Sequence, residues 1–156
     1  MNELAKLLIE KGITISSVES FTVGNFATML GSIPGISKVY KGSLITYQSE
    51  TKERLLSIDH ALIEKYGVVS KEIATLMCVN GKSILDTDLC VSFTGNAGPD
   101  AMEGKPVGEV YIGIAYQDVV VYKLNLTGSR QEIASKAVEF AKKKIIEKIN
   151  ENLKKN

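Results

Sequence analysis

Residues 13–25, ITISSVESFTVGN, begin with an apolar, β-branched run (Ile13, Ile15, Val18) that stops at Glu19 and Ser20. The chain then turns through Thr22 and Gly24 into the run 26–30, FATML. β-Branched residues, a short polar turn and then apolar residues at helical spacing predict a strand, a tight turn and a helix N-terminus. Such a turn projects a hydroxyl beyond the sheet edge. It also aims the backbone N–H groups left unpaired at a helix start at whatever lies beside it. Ser20 is therefore the first candidate for a nucleophile. The same residue types also serve as ordinary caps, so Ser20 or Thr22 could instead do no more than accept a bond from the first helical turn.

On the N-terminal side, residues 2–11 place Leu4, Leu7 and Leu8 on one face and run into Gly12, the pattern of a helix with a glycine stop. Beyond the organising stretch, Phe26, Met29, Leu30 and Ile33 keep a helical stripe until Pro34-Gly35. Residues 39–47, VYKGSLITY, predict a strand with a bulge near Gly42. A short helix starts at Ser49-Glu50-Thr51-Lys52, a second is capped by Asp59, and a longer one is capped by Ser70, with Ile73, Leu76, Met77 and Ile84 on one side. Residues 89–93 are a short buried strand ending at Thr94-Gly95. The segment that follows, NAGPDAMEGKPVG (96–108), is too rich in glycine and proline for regular structure, and a loop of that length between two good strands points to function. Residues 109–116 and 119–126 around Gln117-Asp118 predict an antiparallel hairpin, and Thr127-Gly128-Ser129-Arg130 turns the chain into the last helix. Helices flanking almost every strand give an α/β class: a three-layer α/β/α architecture with a mixed sheet, in one domain spanning 1–156, with no repeat and no linker.

Composition excludes several function classes. With 156 residues the chain can bury a full core, and 19 basic against 18 acidic side chains leave a formal net charge of +1, which gives no bulk attraction for nucleic acid. The lysines of the last helix, starting at Lys142-Lys143-Lys144, alternate with Ile145, Ile146 and Ile149 and read as the solvated face of an amphipathic helix. Cys78 and Cys90 fall in apolar patterns, and His60 stands alone, so no metal site is expected. The N-terminal pattern carries charges and is too short to be a signal peptide, and no apolar stretch would span a bilayer. A cytoplasmic protein is expected.

Three glycine-containing turns could present N–H groups to an anion: 19–24, 94–99 and 127–130. Ser20 would need a base, and one isolated histidine makes a histidine triad improbable. A lysine can serve if burial lowers its pKa from roughly 10.4 toward neutrality. Lys52 is the candidate, because it follows a strand end from which a side chain can reach back to the sheet edge. On the residues alone, an exposed lysine on a short helix is equally consistent and more ordinary.

The ordered set ESFTVG (19–24), GSLITYQSETK (42–52), YGVVS (66–70), SFTGNAGPD (92–100), KPVGEVYIGIA (105–115) and GSR (128–130) resembles the C-terminal domain family of the competence and damage-inducible protein CinA. The resemblance covers nearly the whole chain, and the ordered set is specific although no single motif is. It implies the fold of that family and an activity like that of nicotinamide-nucleotide amidohydrolases, which deamidate nicotinamide mononucleotide to nicotinate mononucleotide and ammonia. Carried over by position, it implies Ser20 as nucleophile, Lys52 as general base and Tyr47 beside the base. Substrate contacts would come from Thr22, Gly24, Thr94, Gly95, Ala97, Gly98 and Arg130, with residues 105–108 closing the site. No metal and no organic cofactor are implied. The expected partner is a small nucleotide, with no nucleic acid and no membrane, and the chain is expected to form a homo-oligomer. Phe21 and Val23 replace a cysteine and a glycine common in the family's serine motif, and Gln48-Ser49, Asn96 and Ser129 also differ from the residues common there. Phe21 and Val23 favour a rival reading, a retained fold that binds a nucleotide or a protein partner without turnover.

Overall fold

In a computed structural model that describes residues 1–155, with the side chain of Lys155 and all of Asn156 outside the described part, the strand at the head of the organising stretch is β1 (Ile15–Glu19). All five of its residues are buried, because it lies inside the sheet. On one side it pairs in parallel with β2 (Tyr40–Ile45), and on the other in parallel with β3 (Leu89–Gly95). β4 (Glu109–Tyr116) and β5 (Asp118–Asn125) add an antiparallel hairpin, giving the order β2-β1-β3-β4-β5 and the mixed sheet that the sequence predicts. The pairing shifts by one residue opposite Ile15 and Ser16, where β2 carries the expected bulge ahead of Gly42.

Among the described residues, six α-helices cover the sheet. α1 (Asn2–Lys11), α2 (Asn25–Gly31) and α6 (Arg130–Lys155) pack on one face around Leu4, Leu8, Phe26, Phe93 and Ile112. α3 (Ser49–Leu56), α4 (His60–Tyr66) and α5 (Lys71–Ile84) pack on the other around Val18, Ile73, Met77 and Cys90. Alternation along a strand divides these cores: Leu89, Val91 and Phe93 of β3 face the first, and Cys90 faces the second. Asp59 and Ser70 cap α4 and α5 through their side chains, as expected. Ile84 departs from expectation: it is exposed, lying beyond Gly81, the last residue of α5 that is buried.

The cap of α2 is also different. Neither Ser20 nor Thr22 serves. The N-cap is Gly24, which makes no side-chain bond, and the helix start is satisfied from further upstream by Glu19, whose carboxylate accepts from the N–H groups of Phe26 (3.2 Å) and Ala27 (2.9 Å). A carboxylate there also opposes the positive end of the helix dipole.

Topology decides where a ligand can sit. From β1 the chain crosses first to β2 on one side and later to β3 on the other, so the carboxyl ends of the parallel strands meet at a reversal of strand order, the usual place for a crevice in an open α/β sheet. The segments after β1, β2 and β3 all leave at that edge. Antiparallel pairing brings the start of β4 and the end of β5 to it as well. Among the described residues no helix is long and apolar enough to cross a membrane, and no group of histidine, cysteine, aspartate or glutamate is arranged to hold a metal ion. Cys78 and Cys90 are buried free thiols.

Candidate active site

The two-residue period of β1 sends Glu19 and Ser20 to opposite faces. Glu19 turns toward α2, where it is wholly buried and also accepts from the hydroxyls of Ser17 (3.0 Å) and Thr22 (2.7 Å). Ser20 turns toward α3. Its backbone N–H donates to Phe93 (3.0 Å), which pins the start of the turn to β3.

Lys52 lies in the first turn of α3, which only three residues separate from the end of β2, so its side chain runs back over the sheet edge. It is fully buried, which settles the choice between an exposed surface lysine and a buried one. Its Nζ lies 3.1 Å from Ser20 Oγ, 2.6 Å from the Thr46 carbonyl and 3.4 Å from the Tyr47 carbonyl. Among the described residues no carboxylate touches the ammonium. Burial pushes its pKa down to about 8, and the charge of Glu103 works weakly in the opposite direction. A buried amine that titrates near neutrality, with two protons directed at carbonyls and the remaining position facing a serine hydroxyl, can take that hydroxyl's proton.

Ser20 opens into a cleft of about 680 Å³ whose walls include Phe21, Tyr47, Val68, residues 94–102 and Arg130. Thr94 is fixed by donating to the Val68 carbonyl (2.6 Å). At Gly95 a side chain is impossible, because a Cβ would stand 2.7 Å from the Cα of Val110 on the paired strand. Arg130 arrives from the start of α6 and bridges the mouth, donating to the Gly98 carbonyl (2.5 Å) and to the Tyr47 hydroxyl (2.6 Å). Ser20, Tyr47, Thr94, Gly95, Ala97, Gly98 and Arg130 thus line one cavity, with Lys52 directly behind the serine.

Other expected site residues lie elsewhere. Thr22 and Gly24 line an adjoining depression of about 450 Å³ between the starts of α2 and α6, which shares only Phe21 and Arg130 with the cleft. The Thr22 hydroxyl is already bonded to Glu19, and the Val23 N–H donates to the Ser20 carbonyl (3.1 Å). Of the third glycine turn, only Arg130 reaches the cleft. Residues 105–108 brace the loop from behind, through Lys105 and Gly108, rather than lining it.

Sequence reasoning missed two carboxylates. Glu19 gave a faint signal, as an acid closing an apolar strand just before a helix start. Glu103 gave none: it accepts from the N–H groups of Val68 (2.9 Å) and Val69 (3.1 Å), residues far away in the chain, over Gly67, where a Cβ would collide with it.

Val23 has φ 46° with its side chain exposed, so the turn keeps the left-handed conformation and the valine carries the strain. Such a residue costs on the order of 1–3 kcal/mol, against roughly 1 kcal/mol that glycine loses by being more flexible when unfolded. Val23→Gly is therefore expected to raise the melting temperature by about 2–4 °C with turnover unchanged. A lower melting temperature on thermal denaturation would show that the valine is not strained.

The sequence profile of the family described as the CinA C-terminal domain matches residues 1–149. A protein of Bacillus mycoides, named provisionally a competence-damage inducible protein, is 39% identical over 94% of this chain but only 36% of its own length. The chain thus spans about a third of the curated relatives it matches. Among solved structures, the competence damage-inducible protein A of Klebsiella pneumoniae superposes with a TM-score of 0.93 at 24% identity, covering 96% of this chain and 94% of that one, a likeness of fold. The competence/damage inducible protein CihA of Agrobacterium tumefaciens superposes with a TM-score of 0.86 at 28% identity, covering 92% of each chain.

Proposed function

This chain belongs to the CinA C-terminal domain family, and from that membership together with the Ser20–Lys52 pair we propose that it is an amidohydrolase, deamidating nicotinamide mononucleotide to nicotinate mononucleotide in the cytoplasmic recycling of pyridine nucleotides. The observation that carries the reading is the fully buried Lys52, with its Nζ 3.1 Å from the hydroxyl of a serine that opens into the cleft. A buried cation with no carboxylate partner is expensive to keep for packing alone, and a nearby nucleophile gives it a use.

In the proposed reaction neutral Lys52 takes the Ser20 proton as Oγ bonds to the carboxamide carbon. The C–N bond then breaks as Lys52 returns that proton to the leaving nitrogen, releasing ammonia and leaving an acyl ester on Ser20. Lys52 next deprotonates a water that attacks the ester, and the same proton restores the Ser20 hydroxyl as the nicotinate product departs. No metal or organic cofactor enters these steps.

Arg130 is the fixed cation at the cleft mouth and has donors beyond the two it uses on Gly98 and Tyr47. It is the candidate for the substrate's phosphate. A charge-assisted bond of that kind contributes roughly 1.5–3 kcal/mol, so kcat/KM for the riboside is expected to fall about 10- to 100-fold below that for the nucleotide. Steady-state kinetics on the two amides check this, and equal constants would remove Arg130 from phosphate recognition.

The rival reading, nucleotide binding without turnover, draws on the commitment of the first N–H groups of α2 to Glu19, which leaves fewer donors for an oxyanion. Calorimetric titration of the nucleotide beside an ammonia assay separates the two: binding without ammonia would favour the rival.

A further inference from the structure

The loop of residues 96–108, whose first part (96–102) walls the cleft, has little regular structure of its own, and its shape depends on one buried side chain. Asn96 is 5% exposed. Its Oδ1 accepts from the Gly98 N–H (2.9 Å), and its Nδ2 donates to the carbonyls of Asp100 (3.0 Å) and Lys105 (3.3 Å). Its backbone N–H donates to Glu109 (3.0 Å), and its carbonyl accepts from Gly108 (2.7 Å). One residue thus joins the beginning, middle and end of the loop. Only an amide suits the position: a carboxylate has nothing to donate to two carbonyls, and an apolar side chain of the same shape would leave the Gly98 N–H and the Asp100 carbonyl unpaired, the Lys105 carbonyl keeping its bond from Met102.

Gly98 is held from both sides. Asn96 takes its N–H, and its carbonyl receives Arg130. The other arm of Arg130 rests on the Tyr47 hydroxyl, and the Tyr47 carbonyl lies 3.4 Å from both Ser20 Oγ and Lys52 Nζ. Hydrogen bonds and one tyrosine therefore connect the Asn96 amide to the nucleophile and its base.

We infer that Asn96 is a positioning residue for anion recognition: by holding Gly98 it fixes where Arg130 presents its guanidinium across the cleft mouth. This rests on the proposed role of Arg130 as the group that reads the phosphate. Asn96 makes no contact with the Ser20–Lys52 pair, so its effect falls on how the nucleotide is held and is read as a change in discrimination.

The test measures kcat and KM of the full chain on nicotinamide mononucleotide and on its riboside, for the wild type, Asn96→Leu and Asn96→Ser, each also in an Arg130→Ala background, with thermal melts to confirm folding. The ratio of the two specificity constants is expected to fall about tenfold in both Asn96 variants, chiefly through a higher KM for the nucleotide. In the Arg130→Ala background the same substitutions are expected to lower the ratio no further. A role in loop stability alone would depress both substrates together and leave the ratio where it was. If Asn96→Leu does not fold, Asn96→Ser decides. A retained ratio, or an equal further fall without Arg130, overturns the inference while leaving the amidase reading in place. A wild-type chain that shows no deamidation removes that reading and this inference with it, and one that deamidates without preferring the nucleotide removes the phosphate role of Arg130 and this inference alone.

Discussion

Ser20→Ala is expected to lower ammonia release from nicotinamide mononucleotide by at least about a thousandfold, the scale seen when a covalent nucleophile is removed. The variant should remain folded. Ser20 contributes little apolar packing, its backbone N–H stays bonded to Phe93, and the turn after it is held by Glu19 rather than by the serine hydroxyl. The bond the hydroxyl accepts from Lys52 contributes about 1–2 kcal/mol, a shift of a few degrees in the melting curve. Retained turnover would refute covalent catalysis by Ser20, and loss of turnover together with loss of the folded state would leave Ser20 a structural residue.

Lys52→Met is expected to produce a comparable loss in kcat that added substrate does not rescue, because the base is missing in the transition state and not in binding. Its stability should move the other way. Lowering the pKa of Lys52 from 10.5 to about 8 means that holding the protonated amine in the folded chain costs about 3 kcal/mol at neutral pH. Methionine removes that cost but leaves the Thr46 carbonyl without its 2.6 Å donor, a loss of about 1–2 kcal/mol. A net gain of about 1 kcal/mol, or about 2–4 °C in melting temperature, is expected at pH 7. The sign reverses with pH in a defined window. Between about 8 and 10.5 the unfolded chain retains a proton that the folded chain has lost, so wild-type stability rises with pH and the advantage of the methionine variant shrinks. Melts of both proteins at neutral and alkaline pH check this. A variant that is less stable than wild type at pH 7, by a margin that does not change toward alkaline pH, would mean that the buried ammonium is well solvated or paired.

What was legible in the sequence follows from the range over which each signal acts. The organising strand, the bulge near Gly42, the Ser70 cap and the β4–β5 hairpin are local patterns of period, branching and capping, and the structure has each of them, though the hairpin turns at Gln117 alone, with Asp118 already paired to Tyr116. Ser20 was legible for the same reason, as the residue where an apolar strand gives way to a polar turn. Lys52 was not legible from its own neighbourhood, since SETKERLL is a polar helix on which a lysine reads as exposed. Its burial comes from α3 starting almost at the end of β2, under the turn of a different strand. The bonds from Arg130 to Tyr47 and from Glu103 to Val68 join residues 83 and 35 positions apart, beyond any periodic pattern. Thr22 is the opposite case: a hydroxyl beside Ser20 reads as lining the same cleft, but the strand that aims Ser20 at α3 aims Glu19 at α2, and Thr22 bonds to Glu19.

The central claim is that Lys52, whose pKa burial lowers to about 8, activates Ser20 for attack on an amide once it has lost its proton. Ammonia release from nicotinamide mononucleotide by the purified chain, followed from about pH 6 to about pH 10, tests it most directly. The account predicts release whose kcat/KM rises about tenfold per pH unit on the acid side and levels off above about 8, as Lys52 loses its proton. No ammonia at any pH, or a rate that does not change across that range, would contradict it.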